Sequence, residues 1–594
     1  MWNLVVLFVS LWPAQQLSGP AIQPEIQQAV GVGQAGSQQK EQKPQDTQDK
    51  TAKPAPKADK AAEPQAGEKA EQAQEEGAKP SPPQPLYLKP WAITLGFADW
   101  NLSGNENKFR HYGTPPRSFF AQELLFAPKP SERDSGYISL RAPGESDYRH
   151  DGRIALFNGR TQAELLLLRN EFYEATPFLI PGSRRRSDEG YVKQLLTRDF
   201  SFSMRYQMQD QHDFFEAPLD PLHQRTRYWD AIGAGKLGNG QIKLGYTDWR
   251  YFDRTLTLFD TKVTGWRLGY MWMPTLNIGA EATYANLEVK QPGQPTGHLD
   301  FVTLSSDTTV GQSTDLGVLL RRDRLSLPIV STAYAREQRL AQFSLAQSYK
   351  KWNARLSISQ RDVERVRADN TFVDVPQWTT FEGRLDGRLT RNLRLTVRGY
   401  TQDITDLPPM TTADPRSLYW SSRQFVQVRL QHTNGPAGGY FVWTYRNWDN
   451  DARAVNLDLN SFVVGGNWQV TQRLSLFAEY TKENWNGKSD ITTFPTFRNF
   501  LPDSHVIAAG LDWMIDPRAF LSLNVTNFGT NNDNPLLLQD GNTNGLFFSI
   551  NSRYIFPSGN EVGLTIAPWT YRDDVRSAMN YDAAIVMLTG KLRF

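Results

Sequence analysis

The chain closes on Tyr581 to Phe594, YDAAIVMLTGKLRF. Counted back from the end, Phe594, Leu592, Gly590, Leu588, Val586 and Ala584 fall on one face of an extended strand, and Arg593, Lys591 and Thr589 on the other. Terminal residues of soluble domains usually fray, so such a domain has little reason to end in a half-apolar strand capped by Phe. A sheet closed on itself within lipid does have a reason. Its last strand must pair with its first, and every residue of that strand is needed.

A terminal Phe preceded by apolar residues at every second position resembles the assembly signal of bacterial outer-membrane β-barrels, porins among them. The resemblance implies an all-β fold, a large transmembrane antiparallel β-barrel surrounded by outer-membrane lipid. It also implies that Val586, Leu588, Gly590, Leu592 and Phe594 serve barrel closure and recognition by the barrel-assembly machinery.

The stretches upstream are of the same kind. Phe200, Phe202, Met204, Tyr206 and Met208 alternate with Ser201, Ser203, Arg205, Gln207 and Gln209. Trp352, Ala354, Leu356 and Ile358 oppose Asn353, Arg355, Ser357 and Ser359, and Phe381, Leu385 and Leu389 oppose Glu382, Arg384, Asp386 and Arg388. Leu393, Leu395 and Val397 do so against Arg394, Thr396 and Arg398, as do Val426, Val428 and Leu430 against Gln427, Arg429 and Gln431. One face is apolar and the other charged. Short connections such as Asp516-Pro517-Arg518 and Gly435-Pro436-Ala437-Gly438 alternate with polar stretches such as Asp406 to Leu418, Asn484 to Pro502 and Gly529 to Asn544. That alternation is the sidedness of an outer-membrane barrel, with tight turns in the periplasm and longer loops outside. The spacing predicts about 22 to 26 strands. The part from Trp91 to about Pro221 is the least regular. There Asn101 to Ser135 reads as a long loop, and Ala163 to Leu168 as a strand buried on both faces or a short helix.

Composition agrees with a polar-lined barrel. Hydrophobic residues are 39% of the chain and the mean hydropathy is −0.54, too polar for a bundle of membrane helices, yet aromatics reach 12%, as girdles at two membrane rims require. There is no cysteine, hence no disulfide framework and no thiolate metal site. A net charge of +2 gives no nucleic-acid footprint.

Ahead of the barrel, Leu4 to Trp12 is an apolar run of signal-peptide length, followed by Gly19-Pro20-Ala21, although no basic residue precedes it. We therefore expect a signal peptide at 1–21, a disordered periplasmic low-complexity arm at 22–85 and the barrel at 86–594. The arm has too few apolar residues to offset the entropy of ordering. It is a solvated spacer or a contact for a periplasmic partner.

Little in the sequence speaks for catalysis, and no enzyme and no cofactor are expected. The seven histidines are scattered, none at metal-ligand spacing; His432, beyond Leu430 on the outward face, reads as a rim residue. Asn and Asp between Thr530 and Asn544 read as a solvated loop before a calcium site, and Arg184-Arg185-Arg186 as a charged loop or a contact for anionic lipopolysaccharide. The informative residues are those that alternate inward: Arg205, Arg267, Arg355, Arg384, Arg388, Arg394, Arg398 and Arg429, against Glu281, Glu382, Asp386 and Glu479. They predict a wet, arginine-rich lumen passing ions or small solutes, favouring anions by field. No plug domain fits between the arm and the first strand. A large plug-free barrel also resembles, more loosely, the decahaem-associated outer-membrane barrels. That likeness implies a structural sheath around a multihaem cytochrome; the Cys pair of some members is absent here, and any haem would belong to the partner.

Overall fold

The computed structural model describes residues 89–594 apart from 114, 129, 132, 143–146, 174–181, 215–222, 254–259, 276, 312, 327–333, 367–371, 406–419, 451–454, 489–502, 532–541 and 575. The expected signal peptide and arm lie outside the described residues, as does most of the Thr530 to Asn544 stretch. Among the described residues, twenty-seven strands run from β1 (Trp91–Gly104) to β27 (Tyr581–Arg593) in one antiparallel sheet. β16 (Phe372–Asp374) only pairs with the last residues of β15 (Trp352–Val366), whose main length from Trp352 to Asp362 pairs with β17 (Gln377–Arg388). The other 26 strands make the wall, each beside its neighbour in sequence.

The wall closes. β27 pairs with β1 without a break from Ala92↔Arg593 to Gly104↔Tyr581. At one end the Trp91 and Phe594 backbones exchange hydrogen bonds of 3.1 and 3.0 Å. That end carries the tight connections: Gly238-Asn239 joins β8 (His223–Leu237) to β9 (Gly240–Asp253), and Gly435-Pro436 joins β19 (Ser422–Asn434) to β20 (Ala437–Asn450). Gly238 and Gly435, at φ 59° and 55°, take the left-handed conformation that two-residue hairpins require. The opposite end has the longer connections, such as 406–421 and 489–502.

From β5 (Thr161–Tyr173) onward, β16 aside, the strands are 12 to 17 residues long. Crossing a bilayer takes only ~9–11 residues, so each strand stands several residues proud of the hydrocarbon. With neighbouring strands ~4.8 Å apart and tilted by ~40°, a round barrel of this strand number would be roughly 50 Å across between backbones, too wide for its own side chains to fill.

Period two sorts the residues onto two faces. Leu95, Phe97, Val586, Leu588 and Leu592 are exposed on one face of the closing strands, as are Leu244, Leu268 and Leu356 elsewhere. Exposed Trp91, Trp272, Tyr349, Trp468, Trp513 and Phe594 form a girdle on this face at the tight-turn end. The other face is the interior, because the one α-helix among the described residues packs on it. α1 (Glu106–Tyr112) touches both β27 and β5, and strands so far apart around the wall can be bridged by so short a helix only across the inside.

Several sequence expectations change here. Asn101 to Ser135 is not one loop but the end of β1, then α1, then β2 (Ser118–Phe126). Ala163 to Leu168 lies in β5, with Leu165 exposed on the outer face, so the strand is not buried on both sides. Arg184 to Arg186 belong to β6 (Gly182–Leu195) rather than to a loop. Asn484 to Asn486 continue β22 (Leu474–Lys488). The last two stretches escape a reading by alternation because polar residues continue along strands once the wall rises above the apolar band.

Facing is testable at adjacent residues of β10 (Thr261–Thr275). Leu268 points outward and Arg267 inward. Leu268→Arg is expected to destabilise the folded barrel by ~2–4 kcal/mol in denaturant titrations in lipid vesicles. An unchanged midpoint would mean that Leu268 does not face lipid.

Candidate functional site: the barrel interior

The interior near the long-loop end is occupied by α1. Asn105 caps it, its Oδ1 accepting from the Lys108 N–H at 2.8 Å; Glu106 opens the first turn and pairs with Arg110 one turn later at 2.9 Å. Gly113 and Pro115-Pro116 end it. A helix of seven residues has no stability of its own in water, so tertiary contacts must hold it. Phe109 supplies them: fully buried, it meets Trp100, Trp569 and Tyr581 at ring-centroid distances of 5.3, 5.7 and 5.7 Å. Tyr112 extends the cluster to Phe528 and Phe547, and Lys108 lies over the Tyr571 ring at 4.6 Å. The backbone is tied as well. Asn105 N–H donates to the Asn580 carbonyl at 3.0 Å, and its side-chain amide to the Ala578 carbonyl at 3.0 Å. Burial, followed by the neighbouring phenols of Tyr571 and Tyr581 and the Asp573 carboxylate, pushes the Tyr112 phenol above its usual range. The Tyr112 phenol therefore stays protonated at any ordinary pH.

Further down the wall the inner face is ionic. All twelve charged residues singled out from the sequence lie on the face that α1 shares. They are not independent charges. Arg267 pairs with the buried Asp230, which also lies opposite Arg205 in the ladder. Lys243 Nζ reaches Glu281 at 3.1 Å. Asp386 accepts from Arg394 at 2.7 and 2.6 Å and from Arg384 at 3.5 Å, and Arg398 donates to Gln427 at 2.9 Å. Across β20 to β22, Arg429 lies 5.4 Å over the Tyr440 ring, and the Tyr440 hydroxyl donates to Glu479. Gly465 makes that reach possible. It lies between Tyr440 and Glu479 in the ladder, and a Cβ there would come within 2.6 Å of the phenol.

The inner face is not charged throughout. Toward the long-loop ends of β8 to β13 (Thr314–Ser326), Tyr228, Trp249, Val263, Leu287 and Leu299 form a buried apolar cluster. On β19 to β22, inward Phe425 lies between Arg398 and Arg446, at 5.4 and 5.6 Å, and Trp448 and Trp485 meet in a tilted pair with centroids 5.8 Å apart. Sequence reasoning singled out none of these residues and left Trp485 in a loop, because the polarity of the two faces inverts above the membrane. On β10, Lys262 and Thr264 point out while Val263 points in; lower down, Trp266 and Leu268 point out and Arg267 in. α1 left one signal, Asn105 before Glu106 and a Gly-Thr-Pro-Pro stop, too brief to separate from a loop.

No protein-family model and no curated protein matches the chain. Among solved structures, the chain is similar to the FrpB iron transporter from Neisseria meningitidis (F5-1 variant, apoprotein form), with 9% identity, 85% of this chain and 81% of that one covered and a TM-score of 0.46. It is also similar to the copper transporter OprC, with 9% identity, 82% and 84% covered and a TM-score of 0.46. The siderophore receptor PirA from Pseudomonas aeruginosa aligns with 10% identity over 85% and 81% of the two chains, at a TM-score of 0.40. All three superpose only loosely on this chain, over most of its length.

Proposed function

We propose that this protein is a non-enzymatic conduit of the bacterial outer membrane, passing ions or small solutes through an arginine-rich lumen narrowed at its outer mouth by α1. The observation that carries this reading is the wall itself: closed, apolar outside, and set inside with Arg205, Arg267, Arg355, Arg384, Arg388, Arg394, Arg398 and Arg429 among fewer carboxylates. The tight-turn end faces the periplasm, and the terminal strand is read by the barrel-assembly machinery. Much of the arginine charge is spent on carboxylates. What remains favours anions as a field spread along the wall rather than as a binding site.

Reconstitution alone in a planar bilayer tests this. Stable conductance with a reversal potential favouring chloride is expected across a KCl gradient, and R388E/R398E/R429E should shift that potential toward potassium. A sealed barrel, or a selectivity indifferent to the triple change, would refute the reading. The width of the barrel favours a second reading, a sheath around a lumenal protein such as a multihaem cytochrome. A sheath would be unstable or grossly leaky on its own and would copurify with its guest from native membranes.

A further inference from the structure

Above the apolar band, the outer face differs between the two halves of the barrel. On β5 to β15 a row of exposed aromatics, among them Tyr206, Trp266 and Tyr284, ends the band. Immediately beyond it, still pointing outward, stand Arg184, Arg186, Arg250, Lys262, Arg322 and Arg339. On the opposite arc the equivalent outward positions are Asn447, Asp458, Asn460 and Asn527. A wall that only needed wetting at this height would not need arginine on one side and asparagine on the other.

The basic arc is layered. Arg250 holds Asp248 through two bonds of 2.8 and 3.0 Å, Arg186 holds Asp188 at 2.6 Å, Arg184 holds Glu171 at 2.7 Å, and Arg322 and Arg339 share Glu337 at 3.0 and 2.6 Å. In every pair the carboxylate is tucked under and the guanidinium is outermost. Side-chain exposure is 5% for Asp248 and 10% for Glu337, against 44% for Arg250 and 65% for Arg339. A guanidinium has five N–H donors, and one buried carboxylate engages only some of them. The surface offered outward is therefore cationic and rich in donors, although the charges beneath it nearly balance. It sits just past the aromatic girdle, at the depth of lipid headgroups.

We propose that this arc binds the phosphate groups of a phosphorylated glycolipid in the outer leaflet, so that β5 to β15 carry an ordered lipid collar that the asparagine arc lacks. The full-length barrel, purified in detergent, should retain bisphosphorylated lipid A in native mass spectrometry, and should bind it at least about five-fold more tightly than the same lipid stripped of its phosphates. Removing arginines alone would strand buried carboxylates, so whole pairs are exchanged. R250Q/D248N combined with R322Q/R339Q/E337Q is expected to abolish that preference without loss of the folded, heat-modifiable barrel, whereas K482Q, an outward lysine of the other arc, leaves it intact. Three results would overturn the assignment: equal binding of the phosphorylated and stripped lipids, an unchanged preference in the paired variant, or displacement of the lipid by an equal concentration of inorganic phosphate.

Discussion

Phe109→Ala is expected to raise single-channel conductance several-fold while leaving the barrel assembled. Truncating a fully buried Phe costs ~3–5 kcal/mol, and Phe109 is the residue through which α1 meets Trp100, Trp569 and Tyr581. A seven-residue helix has no reserve of its own against such a loss, so it should leave the wall and widen the mouth. The wall itself does not depend on α1, since β1 and β27 pair through their own backbones along their whole length. Thermal unfolding should therefore move little while conductance and current noise rise. Because Tyr112 stays neutral, the conductance of the parent protein should not step with pH through the phenol range. Unaltered conductance in Phe109→Ala would show that the narrowest point lies elsewhere.

Ending the chain at Lys591 should cause the larger loss, with assembled protein in the membrane falling by about ten-fold or more. The deletion removes the partners of Ala92 and Ile93, the exchange between Trp91 and Phe594, and the ion pair of Arg593 with Glu561 at 2.7 Å. The backbone groups of β1 would then face lipid without partners, each at a cost of several kcal/mol. Phe594→Ala, which keeps every ladder bond and loses one exposed ring, should fall well short of that. The readout is the amount of heat-modifiable barrel in isolated outer membranes. Equal amounts of the truncated and full chains would mean that closure does not rest on the final residues.

Leu588 and Lys591 show how much could be read in advance: alternation at the end of the chain placed the first outward and the second inward, and closure onto β1 followed from the need to pair every strand. The same rule carried the arginines of β15 to β19 to the inner face by residue number. Arg322 and Val263 show where it stopped. Both stand above the apolar band, where Arg322 points out and Val263 in, the reverse of the pattern lower on the same strands.

The sequence by itself determined the strand character, the closed wall and the facing of residues within the bilayer, because lipid on one side and water on the other impose a period of two that neighbours cannot override. Only the tertiary structure decided what lies in the mouth and around the rim. α1 is held by rings from β1, β26 (Glu561–Asp573) and β27, residues nearly five hundred positions apart in the chain. The carboxylates beneath the rim arginines are covered by partners on neighbouring strands or two places along the same one, an arrangement set by register and shear rather than by local order.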